Sequence, residues 1–229
     1  MLVGPEEKRF SVYHDLLTER SGFFKAARSS RWLEDPQTPT DLTDHDPEEF
    51  SNYLQLVYTS ALITPDIEVL KWCNDDSECD KPNNEILEHM QSHYSVLINL
   101  YMLADKLQDL TSCNMVMDGI LNFGNQVGRI PRLNLVKRIY NYTPSHSYLR
   151  AMIRDMIIYE VYEDYFDGTT ESNFPKQLLF DIAQKSLSVK WTQLEAGDPK
   201  VSEGYVKNIA EDFPKCHYHQ YDDENPGCE

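Results

Sequence analysis

The sequence predicts an α+β fold, with a few short strands near the N-terminus and helices through most of the remaining chain. Phe10 and Val12 alternate with polar neighbours, which is the period of a strand with one buried face. From Asp46 onward, apolar residues recur at helical spacing in several separate stretches. Short strands followed by runs of helices are typical of the α+β class.

The N-terminal segment is predicted to be a hairpin leading into two short helices. Gly4-Pro5 marks a turn between the segments 1–3 and 9–12. Two helices should occupy residues 15–30, and the break falls at Ser21-Gly22, where Ser21 can cap the second helix.

The next helix has the strongest local signals in the chain. Asp46 can cap it, Pro47 suits its first position and Glu49 lies where a capping box needs an acid. Leu42, just before it, is predicted to be the inward residue of a very short strand. The buried face of the helix should comprise Phe50, Tyr53, Leu54, Val57 and Tyr58.

Residues 64–91 interrupt this pattern with prolines, paired asparagines and acids. Such a composition buries little apolar area, so we interpret the stretch as a solvated surface insertion, and an acidic recognition loop is the alternative.

Helical spacing returns after the insertion and continues to about residue 187. Ser147 is placed to cap one of these helices. The last helix, from about Pro175, should bury a face made of Leu178, Leu179, Ile182 and Leu187. Three glycines of this region match no nucleotide-binding pattern and are interpreted as helix ends and turns: Gly119, Gly124 and Gly128.

Composition limits the classes of partner. The 229 residues carry a formal charge of -17, so a polyanion such as DNA would be repelled. No basic segment suggests an anionic membrane, and no window is apolar enough to cross one. No stretch matches a signal peptide, so we expect an intracellular protein of the cytoplasm or nucleus whose partners are proteins.

No catalytic motif is found, so the sequence favours a protein that is not an enzyme and needs no cofactor. The five cysteines indicate no disulfide framework. Four residues near the C-terminus have the side-chain types that bind zinc, but their spacing matches no standard finger, so we favour a loosely ordered tail without metal, with a small zinc-binding protein as the alternative. These residues are Cys216, His217, His219 and Cys228. His14, between strand and helix, is interpreted as structural.

Several segments together resemble the BTB/POZ domains. They are the step from Phe10 to His14, Ser21-Gly-Phe-Phe, and the helix ending in Tyr58-Thr59. Leu100-Tyr-Met-Leu-Ala-Asp-Lys-Leu and Thr143-Pro-Ser-His-Ser-Tyr-Leu-Arg are similar to the fungal branch of BTB-containing proteins. The resemblance implies a small mixed sheet flanked by a helical cluster, with a C-terminal helical extension. The corresponding domains are residues 1–125, an extension over 126–190 and an acidic tail over 191–229.

The resemblance also implies a function. BTB adaptors of cullin-RING ubiquitin ligases carry a hydrophobic-x-Glu motif that docks the cullin N-terminal domain, and Trp32-Leu33-Glu34 falls at the matching place. An apolar ring can anchor such a contact while the acid fixes its register. We therefore expect a non-enzymatic interaction module that acts as a cullin adaptor. The alternative is a BTB scaffold that assembles as a homo- or hetero-oligomer and has no ubiquitin role.

Overall fold

The computed structural model describes residues 1–28, 41–63, 84–160, 165, 169–170, 173–196 and 216–221. The side chains of residues 41, 160 and 189–196 are outside this description. Packing divides the chain into two compact units. Unit 1 comprises Met1–Ile67, Ser95–Ile120 and His219–Glu229, and unit 2 comprises Glu68–Tyr94 and Leu121–Tyr218. The consecutive domains expected from the sequence, with boundaries at residues 125 and 190, remain a prediction.

Unit 1 contains a sheet of three very short strands. β1 (Leu2–Val3) pairs antiparallel with β2 (Lys8–Arg9) and parallel with β3 (Asp41–Leu42). Gly4 turns the hairpin at a φ of 77°, in the left-handed region that glycine adopts easily. The predicted hairpin and the short strand at Leu42 are both confirmed.

The predicted α+β fold, a BTB/POZ domain with a small mixed sheet flanked by a helical cluster, is wrong. The described residues are mostly helical, in eight helices, and each strand of the sheet has only two residues. Such strands make few cross-strand hydrogen bonds, and nearly all the buried apolar side chains lie on helices. Phe10 follows the last residue of β2 and packs its ring against Phe50 from an irregular segment, with ring centroids 5.1 Å apart.

Side-chain caps begin two helices of unit 1 as the sequence predicts. The backbone N–H of Ser21 ends α1 (His14–Arg20) by donating to the Leu17 carbonyl, and the Ser21 hydroxyl accepts a hydrogen bond from the Phe24 N–H in α2 (Gly22–Ala27). Asp46 accepts hydrogen bonds from the N–H groups of Glu48 and Glu49 at the start of α3 (Pro47–Thr59). Each cap satisfies backbone donors that have no partner within the helix.

The buried face of α3 is nearly the predicted one. Tyr58 is exposed instead, and its hydroxyl accepts a hydrogen bond from the Tyr13 N–H at 2.9 Å. Leu56, which the periodicity did not select, is buried. Four predicted members of the face are confirmed as buried: Phe50, Tyr53, Leu54 and Val57.

A buried carboxylate connects helices of unit 1. Asp109 is fully buried just before α5 (Leu110–Val127) and accepts hydrogen bonds from the Ser112 N–H at 2.9 Å and the Ser112 hydroxyl at 2.7 Å. It also accepts one from the Tyr53 hydroxyl of α3 at 3.0 Å. Arg20 of α1 supplies the opposite charge, with its Nε 3.5 Å from the carboxylate. The end of α1, the start of α5 and the middle of α3 are thereby fixed around one paired charge.

The longest helix begins inside the segment interpreted as an insertion. α4 (Asn84–Lys106) starts at residue 84, and its Met90 and Gln91 are buried. The insertion therefore cannot extend to residue 91, and its preceding residues, 64–83, lie outside the described part of the chain.

Two of the three glycines interpreted as helix ends lie inside α5. A Cβ at Gly119 would be 2.3 Å from the Leu62 side chain, and one at Gly124 would be 3.1 Å from the Tyr94 hydroxyl. At both positions the absence of a side chain therefore allows a neighbouring side chain to pack directly against the backbone of α5. Only Gly128, with a φ of 60° immediately after α5, is the helix end expected.

Unit 2 packs α6 (Leu133–Tyr142), α7 (Tyr148–Glu160) and α8 (Lys176–Ala196) in sequence. Buried Arg150 of α7 reaches the end of α6, where its guanidinium donates hydrogen bonds to the Tyr140 carbonyl at 2.6 Å and the Thr143 hydroxyl at 3.0 Å. The Ser147 cap is wrong: within the described chain, this buried hydroxyl has no hydrogen-bond partner. The Ser147 hydroxyl therefore accepts no hydrogen bond from a backbone N–H at the start of α7.

Candidate protein-interaction sites

The helix α8 exposes an apolar surface. Phe180 is 61% exposed and Leu187 60%, and these two residues are seven positions apart, nearly two helical turns. Leu179 is 44% exposed at the edge of this surface, about 100° around the helix from Phe180, and Ala183 lies between them. We call these four residues the α8 outer face.

The opposite side of α8 holds the helix in unit 2. Leu178 is fully buried, and Asp181 accepts hydrogen bonds from the Tyr140 hydroxyl at 3.2 Å and the Gln177 amide at 2.7 Å. Burial raises the pKa of Tyr140, as does the neighbouring carboxylate, so the phenol keeps its proton for this bond. α8 therefore has one face fixed by packing and a second apolar face exposed.

The sequence prediction for α8 placed too many residues on the packed side. Leu178 and Leu179 are adjacent, which separates them by about 100° around a helix, so both cannot face the same neighbour. The structure buries Leu178 and exposes Leu179 and Leu187. This angular separation was visible in the sequence, and it shows that the two leucines do not share one face without showing which of them is exposed.

The α8 outer face lies among uncharged side chains. Gln184, Ser186 and Ser188 are the other exposed residues between Phe180 and Ser188, and the charged residues of this part of the helix, Asp181 and Lys185, are half-buried.

A second site lies in unit 1, on α4 and α5, and it binds the described C-terminal segment. The side-chain amide of Asn114 donates to the Gln220 carbonyl at 2.8 Å and accepts from the Gln220 N–H at 2.7 Å. Both backbone groups of residue 220 are thus paired with one side chain. Asn114 and Asp118 are four positions apart, so they lie on the same face of α5.

Neighbouring side chains of the same site contact the side chains of this segment. The His219 Nε2 is 2.9 Å from a carboxylate oxygen of Asp118. The Gln220 amide donates to the hydroxyl of fully buried Tyr101, on α4, at 2.7 Å. We call Tyr101, Asn114 and Asp118 the tail site.

Tyr218, one residue earlier, is anchored separately within unit 2. Its hydroxyl donates to fully buried Asp155 at 3.1 Å, and the Arg154 Nε donates to the other oxygen of that carboxylate at 2.7 Å. Burial raises the pKa of Tyr218, and the Asp155 carboxylate raises it further. The tail expected to be loosely ordered therefore contains an ordered segment at residues 216–221.

The predicted zinc ligands are not brought together in the described chain. Cys216 is in a disulfide bond, so it has no thiolate to offer a metal. The His219 imidazole is beside Asp118, while the His217 ring packs against Tyr218 with centroids 4.7 Å apart. Among the described residues no group of three metal-ligating side chains occurs, and Cys228 lies outside them. The sequence indicates no disulfide framework, and the single bond at Cys216 was not predicted from it.

The other site residues predicted from the sequence are the Trp32-Leu33-Glu34 motif and His14. Trp32, Leu33 and Glu34 lie outside the described residues. His14 is the first residue of α1 and is exposed, so it does not satisfy buried backbone groups as a structural histidine would.

Comparisons with protein-family models, curated proteins and solved structures give no match to this chain. Within the described ranges, no helix combines the length and the apolar character needed to cross a membrane.

Proposed function

We propose that this chain is a non-enzymatic protein–protein interaction module that self-associates through the α8 outer face. The observation that supports the proposal is the exposure of Phe180 and Leu187 on one side of a helix whose other side is already packed. Exposed apolar surface of this kind marks interaction sites in soluble proteins. Burying one such side chain at an interface is worth about 1.5–3 kcal/mol.

The occupant we propose is the same face of a second copy. A twofold axis through the middle of the face, near Ala183, would place Phe180 and Leu187 of each copy against those of the other, because a twofold interface is self-complementary. Two helices packed in this way would bury all four residues of the α8 outer face.

The net charge limits which surfaces of two copies can form a contact. A charge of -17 on each copy opposes association, so the contact should form where the facing side chains are uncharged. The α8 outer face meets this condition. Salt should strengthen the contact because it screens the repulsion between the copies.

The test compares the full chain with Phe180→Ser/Leu187→Ser by light scattering after size-exclusion chromatography. Tyr142→Ser is the matched control, because Tyr142 is 76% exposed on α6 and away from the α8 outer face. The chain and the control should exceed the monomer mass of 26.7 kDa as concentration rises, while the double variant should stay at that mass. A monomeric wild type, or a double variant that associates equally well, contradicts the proposal.

A finer role follows from the sequence motif at Trp32-Leu33-Glu34. We propose that this motif docks the N-terminal domain of a cullin, so that the chain acts as an adaptor for a cullin-RING ubiquitin ligase in the cytoplasm or nucleus. The support is the hydrophobic-x-Glu pattern of Trp32-Leu33-Glu34, which the sequence resemblance to BTB adaptors matches to their cullin-docking motif.

Purified cullin N-terminal domain provides the test of this role. The full chain should capture it, and Trp32→Ala/Glu34→Ala should lose capture while keeping its melting temperature. Phe180→Ser/Leu187→Ser should still capture the cullin, which separates docking from self-association. Equal capture by the Trp32/Glu34 variant, or no capture by the wild type, would remove the adaptor role.

A further inference from the structure

The tail site holds a short segment of polypeptide by its backbone. Asn114 pairs with both the N–H and the carbonyl of residue 220, which is the pairing that an adjacent strand would provide. Main-chain hydrogen bonds of this type give affinity for an extended peptide regardless of its side chains. One amide side chain is therefore positioned to bind any segment in that conformation.

Two further side chains of the site add specificity. The Asp118 carboxylate lies beside the imidazole of residue 219, and the buried Tyr101 hydroxyl accepts from the carboxamide of residue 220. A buried hydroxyl that loses such a partner costs free energy, so Tyr101 favours a ligand that carries an amide donor. The arrangement selects an imidazole followed by a carboxamide.

The bound segment is attached to unit 1 by polar contacts. His219 and Gln220 are half-buried, and Tyr221 after them is exposed. Neither His219 nor Gln220 adds a large apolar side chain to the core of the unit. His219 and Gln220 are held in unit 1 by directed hydrogen bonds, which another chain with the same groups can also make.

We propose that the tail site is a peptide-binding site, occupied within the chain by His219-Gln220, that accepts from another protein an extended segment with histidine followed by glutamine. Tethering gives the chain's own segment a high effective concentration, in the millimolar range for a short connection, so the segment acts as a built-in competitor. This inference concerns unit 1 and is independent of the α8 outer face.

Fluorescence anisotropy with a labelled peptide of the sequence His-Tyr-His-Gln-Tyr-Asp tests the proposal on the full chain. His219→Ala/Gln220→Ala should weaken the internal competitor and bind the peptide at least about tenfold more tightly than the wild type does. Adding Asn114→Leu to that variant should abolish the gain. A control peptide with Ala-Ala in place of His-Gln keeps only the main-chain bonds to Asn114 and should bind each protein more weakly than the His-Gln peptide does.

An unchanged affinity in the tail variant, or binding that persists with Asn114→Leu, would overturn the proposal. Hydrogen exchange on the wild type provides a second measurement that needs no variant. Excess peptide should displace the chain's own segment and speed the exchange of the Gln220 N–H, which Asn114 protects. If the exchange rate stays constant at saturating peptide, the segment is a fixed part of the structure and the site takes no other ligand.

Discussion

The hydroxyl of Tyr53 donates a hydrogen bond to the buried carboxylate of Asp109, with 3.0 Å between the two oxygens. Burial raises the pKa of Tyr53, and the carboxylate raises it further, so the phenol keeps its proton for this bond at neutral pH. The pair joins α3 to the start of α5, which carries two residues of the tail site.

Tyr53→Phe should therefore destabilise the protein. The substitution keeps the ring and removes one donor from a fully buried carboxylate, which costs about 1–3 kcal/mol. Urea unfolding at neutral pH measures the loss. Tyr142→Phe, which removes the hydroxyl of an exposed tyrosine, should change the free energy of unfolding very little, and an equal loss in both variants would show that the Asp109 contact is not the cause.

The cysteines provide a chemical test of the described tail. Five cysteines are present and Cys216 is disulfide-bonded, so thiol titration in denaturant without reductant should find no more than three free thiols. Cys113 should react slowly in the native protein, because burial raises the pKa of its thiol. Five thiols in freshly purified, unreduced protein would contradict the disulfide.

The disulfide of Cys216 also bears on the cellular compartment of the protein. Structural disulfides are rare in the reducing cytosol, and the expectation of an intracellular protein came from the absence of a signal-like segment. Thiol titration of protein isolated under conditions that block thiol–disulfide exchange therefore reports on the compartment as well as on the disulfide.

Stability should fall on mild acidification. Burial lowers the pKa of His93, whose ring packs against Phe123 with centroids 4.5 Å apart, and burial also lowers the pKa values of His45 and His217. The unfolded chain then binds protons at a higher pH than the folded chain does. The free energy of unfolding decreases as pH falls through the ordinary histidine range near about 6.5.

Urea unfolding of the wild type and His93→Gln, at about pH 7.5 and about pH 5.5, checks this prediction. The variant should show a smaller pH-dependent loss, because it removes one of the three groups that the unfolded state protonates first. A loss of the same size in both proteins would mean that the buried His93 makes no contribution.

Helix starts were predictable from the sequence because their determinants are local. Asp46 and Ser21 each accept hydrogen bonds from backbone groups two or three residues away, so the residues that form the cap are neighbours in the sequence. The extent of the sheet was not predictable in this way. Phe10 alternates with polar neighbours like a strand residue, yet its burial comes from contact with Phe50, forty positions away.

The tail site had no local signal at all. Asn114 and Gln220 are separated by 106 positions, and neither belongs to an apolar periodicity. The α8 outer face was present in the periodicity of the helix but was assigned to the core, because apolar spacing shows that a face exists and does not show what covers it. Only the arrangement of α6, α7 and α8 distinguishes the packed side from the exposed one.

Sedimentation velocity of the wild-type chain, over a range of concentrations in about 0.05 M and about 0.5 M NaCl, tests self-association through an uncharged face most directly. We expect a dimer whose population rises with concentration and is larger at high salt, where repulsion between two copies of charge -17 is screened. A single monomeric boundary at every concentration in high salt, or a dimer that salt dissociates, would contradict the account.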